Sequence, residues 1–262
     1  MNIQASPDPS AILNDKLDRL LRLTEQQLNI QRLIALGPEK NFTFNYRGEN
    51  ISMHLPQGDR DFIQRRILTI HSFYETPFLE AILSAGVVAP GGVIVDAGAN
   101  IGNHSVFFGR FLQASKVISF EPQPAVFETL QKNLDLNGIP GKAHRVMLGA
   151  QKGEGAIDVF KPQNHGGTSF KAVEGGGTPM TTIDATLTKT DRSKLKLIKI
   201  DVEGAQLDVL KGAQASIEAA KPVIWCEVFA DERAETESLL KGMGYRATKI
   251  LKGDNAVFVH EG

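Results

Sequence analysis

The stretch Val93-Ile94-Val95-Asp96-Ala97-Gly98-Ala99-Asn100-Ile101-Gly102-Asn103-His104-Ser105-Val106-Phe107 decides the fold of this chain. Val93-Ile94-Val95 is a short apolar run, the mark of a strand buried on both faces. His104, Phe107, Phe108 and Phe111 then recur at helical spacing. Between strand and helix lies Asp96-Ala97-Gly98-Ala99-Asn100-Ile101-Gly102, where two glycines permit tight turns and close ligand approach. The helix that follows presents free N–H groups and a positive dipole end. This arrangement suits a nucleotide-like ligand carrying a carboxylate or phosphate. It differs from the dinucleotide fingerprint, because Asn100 stands where that motif has its second glycine.

Outward from this turn the chain alternates strand and helix. Val117–Phe120 reads as a second strand and Phe127, Leu130 and Leu134 as a second helix, closed by Gly138. A third strand is expected near residues 143–148. Leu197–Ile200 is a fourth, followed by a helix over about 204–213, and Val223–Val228 a fifth, followed by a helix over about 231–241. Two strand-like runs, Arg246–Leu251 and Ala256–His260, close the chain around a Lys252-Gly253-Asp254 turn. Such alternation implies a mostly parallel, doubly wound α/β sheet, to which a closing hairpin adds an antiparallel edge strand. The glycine-rich stretch 149–184 interrupts it. Ala156–Phe160 and Met180–Ile183 look like strands flanking a mobile loop, and loops this long are usually functional or disordered.

Toward the N-terminus, Phe42, Phe44 and Tyr46 alternate, residues 47–50 turn, and Ile51, Met53 and Leu55 alternate back, a β-hairpin. Helices are expected over 60–86, with Phe73-Tyr74-Glu75 between them. Residues 1–9 read as a frayed tail. Ser10 is placed to cap a helix over about 11–36, with Leu13, Leu17, Leu20, Leu21 and Leu28 as its apolar stripe. That stripe packs on the chain's own core, on a second copy to form a homodimer through residues 11–36, or on a membrane surface. The resulting division is 1–38 (tail and amphipathic helix), 39–90 (hairpin and helices) and 91–262 (the α/β region).

The 262 residues carry a formal net charge of −1, which argues against a general nucleic-acid or anionic-membrane binder. With Cys226 the only cysteine, an intramolecular disulfide and a four-cysteine zinc site are excluded. The first ten residues have no basic and apolar signal pattern, and no apolar run approaches the ~20 residues that span a bilayer. A cytoplasmic location is expected.

Three further groups of residues carry chemistry. Glu121 ends the second strand, nineteen residues after Gly102, where a carboxylate can accept both ribose hydroxyls. Asp201-Val202-Glu203-Gly204 ends the fourth strand, at the edge where ligands of parallel sheets sit. Residues i and i+2 share a face while a strand continues, so both carboxylates are expected on one side. They could take the proton of an acceptor or position it, cap the next helix, or hold a divalent cation with Asp184 or Glu227. Lys199 should pair with Asp96 or Asp201, since a lysine inside a parallel strand is costly otherwise. His165, in the glycine-rich segment, is a further candidate base or substrate contact, and Glu227 at the end of the fifth strand a secondary substrate contact.

Val93–Phe107, Phe120–Asn137, Leu197–Gly212 and Lys221–Val228 together resemble the FkbM family of S-adenosylmethionine-dependent methyltransferases. The resemblance covers roughly residues 42–262 and leaves 1–38 open. It implies a Rossmann-like class I methyltransferase sheet of seven strands, the last antiparallel. It also implies methyl transfer from S-adenosyl-L-methionine, most often to a hydroxyl oxygen of a sugar, glycan or natural product. By position, it implies that Asp96, Gly98, Asn100 and Gly102 line the amino-acid end of the cofactor and that Glu121 holds the ribose. Asn103 and His104 then sit at the helix start near the methionine carboxylate. The acid or Asn that often reads adenine after the third strand is missing, since that region reads Val146-Met147-Leu148-Gly149-Ala150. The competing functions are a nicotinamide-dependent oxidoreductase and an inactive cofactor-binding module.

Overall fold

The computed structural model describes residues 9–262. Residues 1–8 of the expected tail lie outside the described residues. Helix α1 (Pro9–Leu36) leads into a hairpin of β1 (Asn41–Tyr46) and β2 (Glu49–His54), then α2 (Phe62–Ile70) and α3 (Thr76–Ala85). Ser10 therefore lies inside α1 rather than capping it; Pro9 takes the first helical position, where its fixed φ suits the helix. In the hairpin, Arg47 and Gly48 both have positive φ, the two-residue turn that matches strand twist.

The α/β region runs β3 (Val93–Ala97), α4 (Asn103–Arg110), β4 (Lys116–Phe120), α5 (Pro124–Leu136), β5 (Gly141–His144), β6 (Met147–Leu148), β7 (Gly153–Val159), β8 (Ser169–Ala172) and β9 (Thr178–Thr181). It continues through α6 (Ile183–Thr186), α7 (Lys189–Ser193), β10 (Leu195–Ile200), α8 (Gln206–Lys211), α9 (Gln214–Ala220), β11 (Val223–Glu227), α10 (Arg233–Gly242), β12 (Tyr245–Ala247) and β13 (Asn255–His260). Seven strands form one sheet in the order β12-β13-β11-β10-β3-β4-β5. The last strand, β13, is the antiparallel one and lies between β11 and β12.

Both faces of this sheet are covered, which is why its central strands β3, β4, β10 and β11 are mostly apolar. Ile94, Val117, Leu197 and Trp225 face a cluster built with the hairpin, α2 to α5 and their links. Val95, Ile118, Ile198, Ile200 and Ile224 face the opposite cluster with Ile183, Val209, Ile217 and Leu240. Hairpin residues Phe44, Ile51 and Met53 belong to the same continuous cluster as Phe107 and Trp225. The side chains of Asn133 on α5 and of Asn137, its C-cap, accept the backbone N–H groups of His54 and Ser52, stitching β2 to the α/β region.

Several expectations shift. The third strand is Gly141–His144, earlier than expected, because this edge strand is half exposed and carries no apolar run. Met147–Leu148 instead pairs with β9 in a second sheet of order β6-β9-β7-β8. The segment read as a plain mobile loop contains β8 and a short 3-10 turn, His165–Gly167. The run Arg246–Leu251 is a strand only to Ala247, since only Arg246 and Ala247 of it pair with β13. A separate helix, α9, follows α8. Along α1 the leucine stripe does not pack on the core. Leu36 is buried, but Leu13, Leu17, Leu20, Leu21 and Leu28 are 40–66% exposed. No helix among the described residues is long and apolar enough to cross a membrane.

Candidate active site

Parallel register brings the chemistry to one sheet edge. Ala97 pairs with Phe120 and Ile200, and Ile200 with Cys226. The residues just beyond, Gly98, Glu121, Asp201 and Glu227, therefore emerge side by side.

The turn after β3 is held by the backbone. Gly98 and Ala99 both donate to the Phe120 carbonyl, at 3.1 and 2.9 Å. Gly98 has φ +78°, and a Cβ there would lie 1.7 Å from the Asp201 carbonyl oxygen, so only glycine lets the two loops meet. Asn100 is left-handed as well (φ 48°), and its N–H donates to Glu121 Oε2 at 3.1 Å. The other oxygen of Glu121 accepts the Gln123 N–H at 2.9 Å. Burial pushes the Glu121 carboxyl up to about 7 against these hydrogen bonds. Around Glu121 a cavity is walled by Phe120, Val146, Met147, Leu148 and Phe170 and covered by His165, Gly166 and Thr168.

A second, acidic cavity shares Gly98, Asn100, Gly166, Asp201 and Glu203 with the first and continues to Tyr74, Glu75, His104, Lys199 and Glu227. Lys199 pairs across β3 with Asp96, as their strand register dictates. Its ammonium lies 3.0 Å from Asp201 Oδ2 and 3.6 Å from Asp96 Oδ1, so the expected pairing is made with both acids. Burial opposes the Lys199 charge, but Asp201 and Asp96 outweigh it and raise its pKa above the usual lysine range. Conversely, Lys199 outweighs the burial of Asp201 and holds that carboxyl below its ordinary value. Burial, then repulsion from Asp201, pushes Glu203 up, and the same two causes push Glu227 up to about 8. Asp201, Glu203 and Glu227 each bring a carboxylate oxygen within 4.8 Å of the others.

The strand pleat does not produce this convergence. β10 ends at Ile200, and the turn that follows, with Glu203 at φ 49°, aims both acids into one cavity. Neither acid caps the next helix, because α8 starts after Ala205, which has no side-chain cap. Asp184 is excluded from the site. Its carboxylate accepts the N–H groups of Ala215 and Ser216 at the start of α9.

Asp96 lies beneath the turn, where it accepts from Ser105 Oγ at 2.6 Å as well as facing Lys199. Gly102 (φ +87°) starts α4 and packs on Leu130. Asn103 has both ends of its amide on the Tyr74 backbone, accepting its N–H and donating to its carbonyl. His104 is buried edge-on to Trp225, with Nε2 3.3 Å from Glu75 Oε2. His165 donates its backbone N–H to Asp61 Oδ2, the N-cap of α2, and its ring lies over Phe160. Sequence reading missed Tyr74, Glu75, Phe170 and Lys161 as cavity or rim residues. Glu75 carried no sequence signal, since its left-handed backbone (φ 57°) and its contact with α4 are tertiary.

The family model described as the methyltransferase FkbM domain matches residues 96–247. The chain belongs to the methyltransferase FkbM family. Membership in this family of methyltransferases removes the nicotinamide-dependent reading. Methyltransferase 1 of Beauveria bassiana is 29% identical over 170 residues, covering 55% of this chain and 68% of that protein. The hexuronic acid methyltransferase AglP of Haloferax volcanii is 32% identical over 163 residues, covering 61% of this chain and 65% of that one. A crystal structure of a methyltransferase FkbM from Methylobacillus flagellatus shares the fold, with a TM-score of 0.51 and 18% identity. That likeness covers 76% of this chain and 52% of the other, so the present chain spans about half of it.

Proposed function

We propose that this enzyme uses S-adenosyl-L-methionine to O-methylate a hydroxyl on a sugar, glycan or natural product. The observation that carries the reading is the junction of two cavities at Gly98 and Asn100, one walled by apolar groups around Glu121, the other acidic. The residues fit the cofactor. Asn100 lines both cavities, and its buried amide nitrogen has no hydrogen-bond partner. Gly98 and Asn100 would receive its amino-acid end, with Gly102 supporting the turn against Leu130, Glu121 would take its ribose hydroxyls, and the walls at Phe120, Leu148 and Phe170 its adenine. When bound, S-adenosylmethionine supplies a methyl group on positively charged sulfur. Asn103, committed to Tyr74, supports the turn instead of contacting the ligand, and His104 and Asp96 act from the acidic side and from beneath.

The acidic cavity is suited to a hydroxyl acceptor. A carboxylate acceptor would face Asp201, Glu203 and Glu227 and be repelled. Asp201, pinned by Lys199, orients the hydroxyl, and Glu203, whose pKa is raised, takes its proton. His165 bears on the acceptor from the cover. The relative named as a hexuronic acid methyltransferase supports a sugar-class acceptor. The test is calorimetry with S-adenosylhomocysteine, followed by its release from S-adenosylmethionine in the presence of free and glycosidic sugars. Absence of binding removes the cofactor assignment. Binding with no release on the sugars, but release when amines replace them as acceptors, removes the hydroxyl assignment. Release with none leaves the inactive binding module.

A further inference from the structure

The segment that covers both cavities is seated from outside the α/β region. Residues 161–168 line the apolar cavity through His165, Gly166 and Thr168, and the acidic one through Asn164, Gly166 and Gly167. Lys161 N–H donates to Thr168 Oγ1 at 3.3 Å, which closes the segment on itself. The start of α2 holds it in place. Asp61, 1% exposed, divides its carboxylate between two N–H groups. Oδ1 caps α2 by accepting from Gln64 at 3.0 Å, and Oδ2 accepts from His165 at 3.1 Å. The Phe62 N–H, which has no partner within its own helix, donates to the Gln163 carbonyl at 2.8 Å.

The other side of the segment meets the residues assigned to the cofactor. A Cβ on Gly166 would lie 2.7 Å from Asn100 Nδ2 and 2.7 Å from Ile63 Cδ1, so the segment is wedged between α2 and the turn after β3. The His165 carbonyl accepts from Gln123 Nε2 at 3.0 Å, and the Gln123 N–H donates to Glu121. Among these contacts the bond to Asp61 is the one made to a charged acceptor out of water, the stronger kind.

We propose that Asp61, together with the Phe62 N–H, is a positioning residue of the methyl-transfer site: it holds residues 161–168 closed over both cavities and so slows escape of the cofactor. A segment seated over a ligand must open before that ligand leaves. Both residues lie outside 96–247, the span matched by the family model, so the hairpin-and-helix region serves the site as well as the core. The role at the site rests on the cofactor reading above; the anchoring does not.

Two variants of the full chain break the anchor and keep α2. Asp61→Ser retains a good N-cap oxygen, but a single one on a shorter side chain that cannot also reach His165. Phe62→Pro removes the N–H at the first helical position, which suits proline, after a residue already extended (φ −74°, ψ 134°). Its control, Phe62→Ala, loses the ring that meets Tyr74 but keeps the N–H. Hydrogen–deuterium exchange without ligand should rise about ten-fold or more over 161–168 in Asp61→Ser and Phe62→Pro, and not in Phe62→Ala. S-adenosylhomocysteine should leave the same two variants about ten-fold faster or more in a stopped-flow chase. Thr188→Ala removes the N-cap of α7, which lines neither cavity, so it should lower the melting temperature and leave both readouts unchanged. Should one anchor variant fail to fold, the other decides. Unchanged exchange overturns the anchor, and raised exchange with unchanged release overturns its role at the site. A parent that binds no S-adenosylhomocysteine overturns the cofactor reading and this role with it, while exchange alone judges the anchor.

Discussion

Glu121 ties two loops together with one carboxylate, accepting the N–H groups of Asn100 and Gln123 while it faces the cavity. A hydrogen bond to a charged group contributes about 1.5–3 kcal/mol. Glu121→Ala should therefore weaken cofactor binding about ten-fold or more, as read by calorimetry; unchanged affinity would take the ribose from it. The same residue makes a pH prediction. Its folded pKa of about 7 stands above its ordinary 4.5, so the folded state holds the proton more tightly. Its contribution favours folding below pH 4.5 and is lost as the pH rises through about 7. Urea midpoints of the unliganded chain should show that loss, and Glu121→Gln should flatten it by on the order of 3 kcal/mol across the window. At the acidic end, Glu203→Gln should lower turnover about 10²–10⁴-fold with cofactor affinity kept. Its melting temperature should hold, because Glu203 caps nothing. Asp201→Asn should cost stability as well as rate, because it strips Lys199 of its nearer partner. Turnover equal to the parent in both variants would move the base to His165.

Elements differ in how firmly they hold. The turn between β3 and α4 packs without slack against the turn after β10, and Gly98 is the contact point. Gly98→Ala forces a left-handed backbone and a clash with backbone at once, so the variant should lose cofactor binding and several degrees of melting temperature together. A variant that binds S-adenosylhomocysteine like the parent would show that the turn can relax. Helix α1 is the opposite case. It has 28 residues, yet apolar side chains from Leu13 to Ile34 stay 38–75% exposed along its length. A helix so exposed gains little from propensity alone and needs a packing partner. A second copy of α1 offers an identical apolar face, which a two-fold axis would bury against itself. Light scattering should give a dimer for the full chain and a monomer for a chain starting at residue 38. Monomers in both cases end the homodimer reading.

At the scale of the whole molecule, the hairpin and α2–α3 share one hydrophobic cluster with β3, α4 and β11. No layer of polar contacts separates residues 39–90 from the sheet. Far-ultraviolet circular dichroism and tryptophan fluorescence, the latter from Trp225 in that cluster, should therefore report coincident unfolding transitions. Two separated transitions would show that 39–90 folds by itself.

The α/β class, the order of the strand–turn–helix units and the placing of Gly98, Glu121, Asp201 and Glu203 at strand ends were all determined by the sequence. Buried parallel strands must be mostly apolar, and the tight turn after β3 must carry glycine, so both leave local marks. Edge strands such as β5 leave none, because half their surface meets water. Only tertiary structure decided that Asp201 and Glu203 serve a cavity and not a helix cap. Only there do Glu75 and His104 join them, from a link between helices and from a helix. Whether α1 lies on the core was settled the same way, since an amphipathic stripe records that a face wants cover but not what covers it.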